Sequence, residues 1–126
     1  MEKMVKIDGK EVGFRATALT PRIYRHKIGR DMIQDLNKLQ GAYNKAMRLP
    51  AEATDEEIKE AQLSALDLEI FENAAYVMAK QYDANLPNSP EEWLDEFETF
   101  SIYEILPAIL ELWQLNSATT AKPKKK

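Results

Sequence analysis

Apolar and polar residues alternate over Met4 to Ile7 and again over Val12 to Arg15, with Asp8-Gly9 between the two runs. A two-residue period is that of a half-buried strand, and Asp-Gly between such runs supplies the positive φ angles of a tight hairpin. The pattern predicts strands at residues 3–8 and 11–16. Two strands alone are marginal in water, so this hairpin must lean on helices or on a partner.

From Thr20 the period lengthens to that of a helix. Thr20-Pro21 reads as a start, the threonine hydroxyl capping free amides and proline occupying the first helical position. The helix runs toward Arg48, and Gly29 predicts a kink or a break into two pieces. Beyond the glycine, Met32, Leu36, Leu39, Tyr43 and Met47 form one apolar stripe. After Leu49-Pro50-Ala51, Thr54 and Glu57 make a capping box that opens a helix at residues 55–82. Its stripe is Leu63, Leu66, Ile70, Ala74 and Val77, flanked by Phe71 and Met78. Asn85 to Asn88 is a turn, and Ser89-Pro90-Glu91-Glu92 starts a short helix carrying Trp93, Leu94 and Phe97. A second box, Ser101 with Glu104, starts a last helix through Trp113 that is apolar nearly all round and bent at Pro107. The stretch from Ser89 to Asn116 holds both tryptophans, and the rest of the chain is expected to pack on it. The reading is a mainly α fold: one compact helical domain, residues 1–116, with a small N-terminal β-hairpin. Residues 117–126 have nothing to bury and form a disordered basic tail.

Composition adds a strong charge asymmetry to this picture. Residues 1–49 carry 11 Lys or Arg against 5 Asp or Glu, residues 50–116 carry 2 against 16, and residues 117–126 carry 4 against none. The balances of +6, −14 and +4 sit inside a net charge of −4. So acidic a middle repels nucleic acid and membrane headgroups unless the basic first third is presented alone. The opposite charges otherwise pair within the monomer or across contacts between copies, and self-association is expected from them and from the hairpin edge. The absence of cysteine excludes disulfides and thiolate metal sites. There is no apolar stretch of signal-peptide or membrane-span length.

Candidate chemistry is sparse. His26 is the only histidine and stands beside no nucleophile, so no catalytic residue is assigned. Glu91, Glu92, Asp95, Glu96 and Glu98 lack the spacing of a calcium loop and fall on the polar side of a helix, so no metal or cofactor is expected. The basic residues Arg22, Arg25, His26, Lys27 and Arg30 could neutralise phosphates, which makes a small nucleic-acid-binding regulator the alternative function. With little aromatic interleaving, they fit an acidic protein surface better. Trp93, Phe97, Phe100, Tyr103 and Trp113 are either core or a hydrophobic receptor for a protein partner. Trp113, near the end of the last helix, is expected to be half-exposed and the main contact.

Three separated blocks carry a resemblance: DGKEVGFRATALTPRIYRHKIGRDMIQDL, LDLEIFENAAYVMAKQYD and PEEWLDEFETFSIYEILPAILELW. Together, and in order from about Val5 to Asn116, they resemble the tail assembly chaperones of long-tailed, non-contractile bacteriophages of Gram-positive hosts. The resemblance implies a non-enzymatic, largely helical protein that works in the host cell cytoplasm during tail morphogenesis and is absent from the finished virion. Its implied partners are the tape measure protein, which it coats, and the tail tube protein, which it brings there. The family also implies a longer form made by ribosomal frameshifting. Lys124-Lys125-Lys126 suits a slippery codon run and equally a plain basic tail.

Overall fold

Two strands and a series of helices follow one another along the chain. The structure, a computed structural model, describes residues 1–48, 50, 52–57 and 63–120, of which 115–120 as backbone alone. Strands β1 (Glu2–Ile7) and β2 (Lys10–Arg15) pair antiparallel, with Ile7 opposite Lys10 and Glu2 opposite Arg15. Both begin one residue earlier than expected. The turn is the predicted one: Asp8 has φ 54° and Gly9 φ 78°, as a two-residue loop of matching twist requires. Val5, Ile7, Val12 and Phe14 face the helices, where Ile7 and Phe14 are buried. The turn is also tied down, because Asp8 Oδ2 accepts from the Glu98 amide at 3.0 Å and Lys10 Nζ donates to the Glu96 carbonyl.

Helix α1 (Thr20–Ile28) ends at Gly29, which adopts φ 83° and returns its amide to the Arg25 carbonyl. That left-handed residue turns the expected kink into a full break. Asp31 caps the next helix, α2 (Met32–Met47), its side chain accepting from the amides of Ile33 and Gln34. Thr20 does not cap α1 as expected. It is buried at the helix start, accepts from the Thr17 amide at 2.8 Å, and donates to Gln81 Oε1 at 2.6 Å. Burial gives its hydroxyl more to gain from a partner in another helix than from an amide that water can reach.

The Thr54/Glu57 capping box forms, with bonds of 2.9 and 3.1 Å. Residues 58–62 of the helix expected over 55–82 lie outside the described residues. A second box, Ser64 with Asp67, then starts helix α3 (Ala65–Tyr82) afresh, so Leu63 precedes the helix and Leu66 is exposed rather than in the stripe. Helix α4 (Pro90–Leu94) starts at the predicted Ser89 cap and ends before Phe97. Helix α5 (Ile102–Thr120) follows, with Pro107 inside it. Ser101 meets its first turn through its carbonyl, which accepts from the amides of Glu104 and Ile105. Helix α5 runs through the first four residues of the segment expected to be disordered, and 121–126 lie outside the described residues.

The central element is α3, not the last helix. Residues 74–79, Ala-Ala-Tyr-Val-Met-Ala, are all buried, and α3 touches β2, α1, α2, α4 and α5. Three alanines in that run let neighbours come close on every side. Strand β2 lies over α3 and β1 over α5. Gly13 makes room on the hairpin's other face, since a Cβ there would collide with the Tyr82 ring. The fold is thus mainly α with an N-terminal hairpin. Among the described residues no helix is long and apolar enough to cross a membrane.

Candidate functional site

Of the five aromatic residues expected to meet a partner, the structure brings three together. Trp93 on α4 meets Phe97 and Phe100 edge-on, with ring centroids 5.4 and 5.3 Å apart, and lies 6.0 Å from Tyr76 of α3. Phe71 closes the group 5.3 Å from Phe100. Edge-to-face rings at these distances favour one another beyond the area they bury. Trp93 is 1% exposed, so it is core; Phe97 and Phe100 are half-buried around it. The Tyr76 hydroxyl donates to the Pro87 carbonyl at 2.6 Å, and burial, with a smaller contribution from Glu92, raises its pKa. Lys80 donates to the carbonyls of Ala84 and Leu86 and to Asn88 Oδ1, so the α3–α4 loop is held against the cluster.

Trp113 corrects the expectation made for it. It is 6% exposed, more than Trp93 but far from half-exposed, because the α5 residues before it, Ile109, Leu110 and Leu112, are buried with it. Neither tryptophan offers a face to a partner.

Tyr103 is the member of the five that stays open, 56% exposed at the start of α5. Its ring lies 6.3 Å from that of Tyr43 on α2, and Met47, one turn further along α2, is 58% exposed. The α2 stripe therefore changes role along its length. Met32, Leu36 and Leu39 are buried, Tyr43 is half-buried, and Met47 stands in solvent. The sequence marks these five as one apolar stripe and does not divide it. The 16-residue helix spans about 24 Å at 1.5 Å per residue, longer than the core it covers. Tyr43, Met47 and Tyr103 make an apolar surface of one flexible and two aromatic side chains, a composition suited to a protein partner.

The basic residues are divided by the structure. Arg22, His26 and Lys27 are exposed on α1 and, with Leu19 and Ile23, line a shallow groove of 340 Å³. Arg30 is withdrawn from them. Its Nε and a terminal nitrogen donate to the two oxygens of Asp35 at 2.8 and 2.9 Å, and the Tyr24 hydroxyl donates to the same carboxylate at 2.9 Å. The Arg30 hydrogen bonds, helped by Tyr24 and opposed by burial, hold the Asp35 carboxyl below its usual range. Burial and then Asp35 push the Tyr24 phenol well above its own. This triad fixes α1 against α2 across the Gly29 break. Glu91, Glu92, Asp95, Glu96 and Glu98 are all exposed, a solvated face as their spacing implied.

No protein-family model, curated protein or solved structure matches the chain.

Proposed function

We propose that the chain is a tail assembly chaperone of a long-tailed, non-contractile bacteriophage, acting without a cofactor in the host cell cytoplasm. It binds the tape measure protein, helps recruit the tail tube protein and does not enter the virion. The observation that carries this reading is the resemblance of three blocks, in order, over Val5 to Asn116. The open Tyr43–Met47–Tyr103 surface supports it. A long helical client presents apolar side chains at helical spacing, and a surface of aromatic and methionine side chains receives such a helix without strict sequence demands. Exposed acidic residues on α4 keep a chaperone with an apolar surface soluble.

Co-expression with a tape measure fragment tests the proposal. The fragment is expected to become soluble and to co-purify with the chain, and Met47→Glu is expected to abolish the complex while leaving the fold intact. A fragment that stays insoluble beside abundant folded chain overturns it. Salt-dependent retention of unrelated DNA, lost on Arg22→Ala with Lys27→Ala, would instead establish the nucleic-acid alternative.

A further inference from the structure

Among the described residues, strand β1 has one edge with no pairing strand. The hairpin ladder shows which residues face it. Met1 and Ala16 exchange both backbone hydrogen bonds, at 2.9 and 3.2 Å, and Ile7 and Lys10 flank the two-residue turn. Bonded pairs alternate along an antiparallel ladder, so Met1, Lys3, Val5 and Ile7 point their backbone groups at β2. Glu2, Met4 and Lys6 point theirs away. Among the described residues nothing hydrogen-bonds to those outward groups. Beside this edge runs an open groove of 680 Å³, walled by β1 from Lys3 to Lys6 and by Glu104, Pro107 and Glu111 of α5. The side chain of Met4, in the middle of the edge, is 49% exposed.

We infer that this edge pairs with the same edge of a second copy of the chain, antiparallel and centred on Met4, joining two hairpins into a four-stranded sheet. Outward-facing residues must meet outward-facing residues, and centring on Met4 is the register that uses all three from each strand. It places Glu2 opposite Lys6 of the second copy, Met4 opposite Met4, and Lys6 opposite Glu2, with up to about six backbone hydrogen bonds. Both charge pairs are of opposite sign, the arrangement cross-strand neighbours favour. A shift by two residues leaves outward groups unpaired and sets Met4 against a charge. A parallel pairing in register sets Glu2 beside Glu2 and Lys6 beside Lys6. Lys3 is paired with Glu111 across the groove at 2.8 Å, and the walls also carry Lys6 and Glu104, a mix of signs that matches a strand with both signs of its own. The contact is isologous and closes as a two-fold dimer. It stands whether or not the chain binds a tape measure protein.

Sedimentation velocity of the full chain from micromolar to millimolar concentration is the test. Wild type is expected to dimerise. Met4→Pro removes only an outward amide, which an edge strand tolerates, and leaves the hairpin ladder whole. It is expected to keep its melting temperature and to weaken association about tenfold or more, the equivalent of at least one net backbone hydrogen bond. The chain has no cysteine, so Met4→Cys introduces a single thiol at the two-fold axis. The two Cα atoms there lie about 5.5 Å apart, within disulfide reach. Oxidation is expected to give a covalent dimer rapidly. Glu2→Cys is expected not to, since the two thiols sit roughly 13 Å apart along the strands. Wild type that stays monomeric throughout, leaving the edge to a strand of another protein, overturns the inference. So does a Met4→Pro dimer of unchanged strength, or Glu2→Cys cross-linking as fast as Met4→Cys. Should Met4→Pro lose its fold, the two cysteine variants decide.

Discussion

The Trp93 cluster and the Tyr43–Tyr103 pair are built from the same kind of residue and have opposite fates. Around Trp93, rings from α3, α4 and the following loop enclose one another, and the indole loses nearly all contact with water. At Tyr43 and Tyr103 two helices bring their rings together near the ends of their apolar stripes, and among the described residues no third element covers the pair. The aromatic content of a segment thus says little about exposure. What decides is whether a further element is long enough to reach over the ring.

The largest effect is expected where enclosure is complete. Trp93→Ala should cost about 3 to 5 kcal/mol, the range for removing a large ring from a packed core. Urea unfolding followed by circular dichroism measures it. A cost near that of a surface substitution would erase the distinction between the two aromatic groups.

Next comes the polar tie that keeps Tyr24 enclosed. Asp35→Ala should cost about 1.5 to 3 kcal/mol, because it strands a buried phenol. The Arg30 side chain is 45% exposed, so its ion pair adds little through solvent. The sign with pH follows from the directions of the shifts. The folded-state pKa of Asp35 is depressed, so its contribution is present above the ordinary aspartate value of about 3.9 and is lost as pH falls through the folded value. The Tyr24 pKa is raised, so its contribution is full below about 10 and is lost as pH rises. Asp35→Ala should therefore flatten the acid limb of a stability–pH curve. In an absorbance titration, the late-ionising part of the tyrosine signal should shrink on Tyr24→Phe.

Much of this architecture is legible in the sequence. The hairpin, the Gly29 break, the capping box at Thr54 and the Ser89 cap rest on local chemistry that needs no neighbour to act. What is not legible depends on distant residues. The hydroxyl of Thr20 bonds Gln81, 61 residues away, and no local rule points there. Ser64 with Asp67 has the spacing of a capping box, yet a continuous apolar stripe hid it. The centrality of α3 lies in a run of small residues, whereas the large ones in the sequence point to the stretch from Ser89 to Asn116. Within the candidate site, Tyr103 was legible as a residue, but its partnership with Tyr43 and Met47 was not. Helical periodicity marks the apolar face and cannot mark where along that face the core stops.

The smallest stability effect belongs to the open pair, where the largest effect on binding is expected. Tyr103→Ala removes a ring already 56% exposed, leaving one tilted contact with Tyr43 to lose. An aromatic pair at this separation contributes roughly 0.5 to 1.5 kcal/mol, so the unfolding midpoint should move little. Binding behaves differently, since a ring that closes against a client gives up its remaining contact with water only in the complex. Loss of such a contact costs about 1 to 3 kcal/mol, and Tyr103→Ala should weaken capture of a tape measure fragment to that extent. Trp113→Ala should do the reverse, lowering stability more than it lowers binding per folded molecule, because its indole is already enclosed. Calorimetric titration of both variants, corrected for the folded fraction, measures the two effects separately. If Tyr103→Ala binds as wild type while folded Trp113→Ala does not, the client docks at the end of α5 and not at the tyrosine pair.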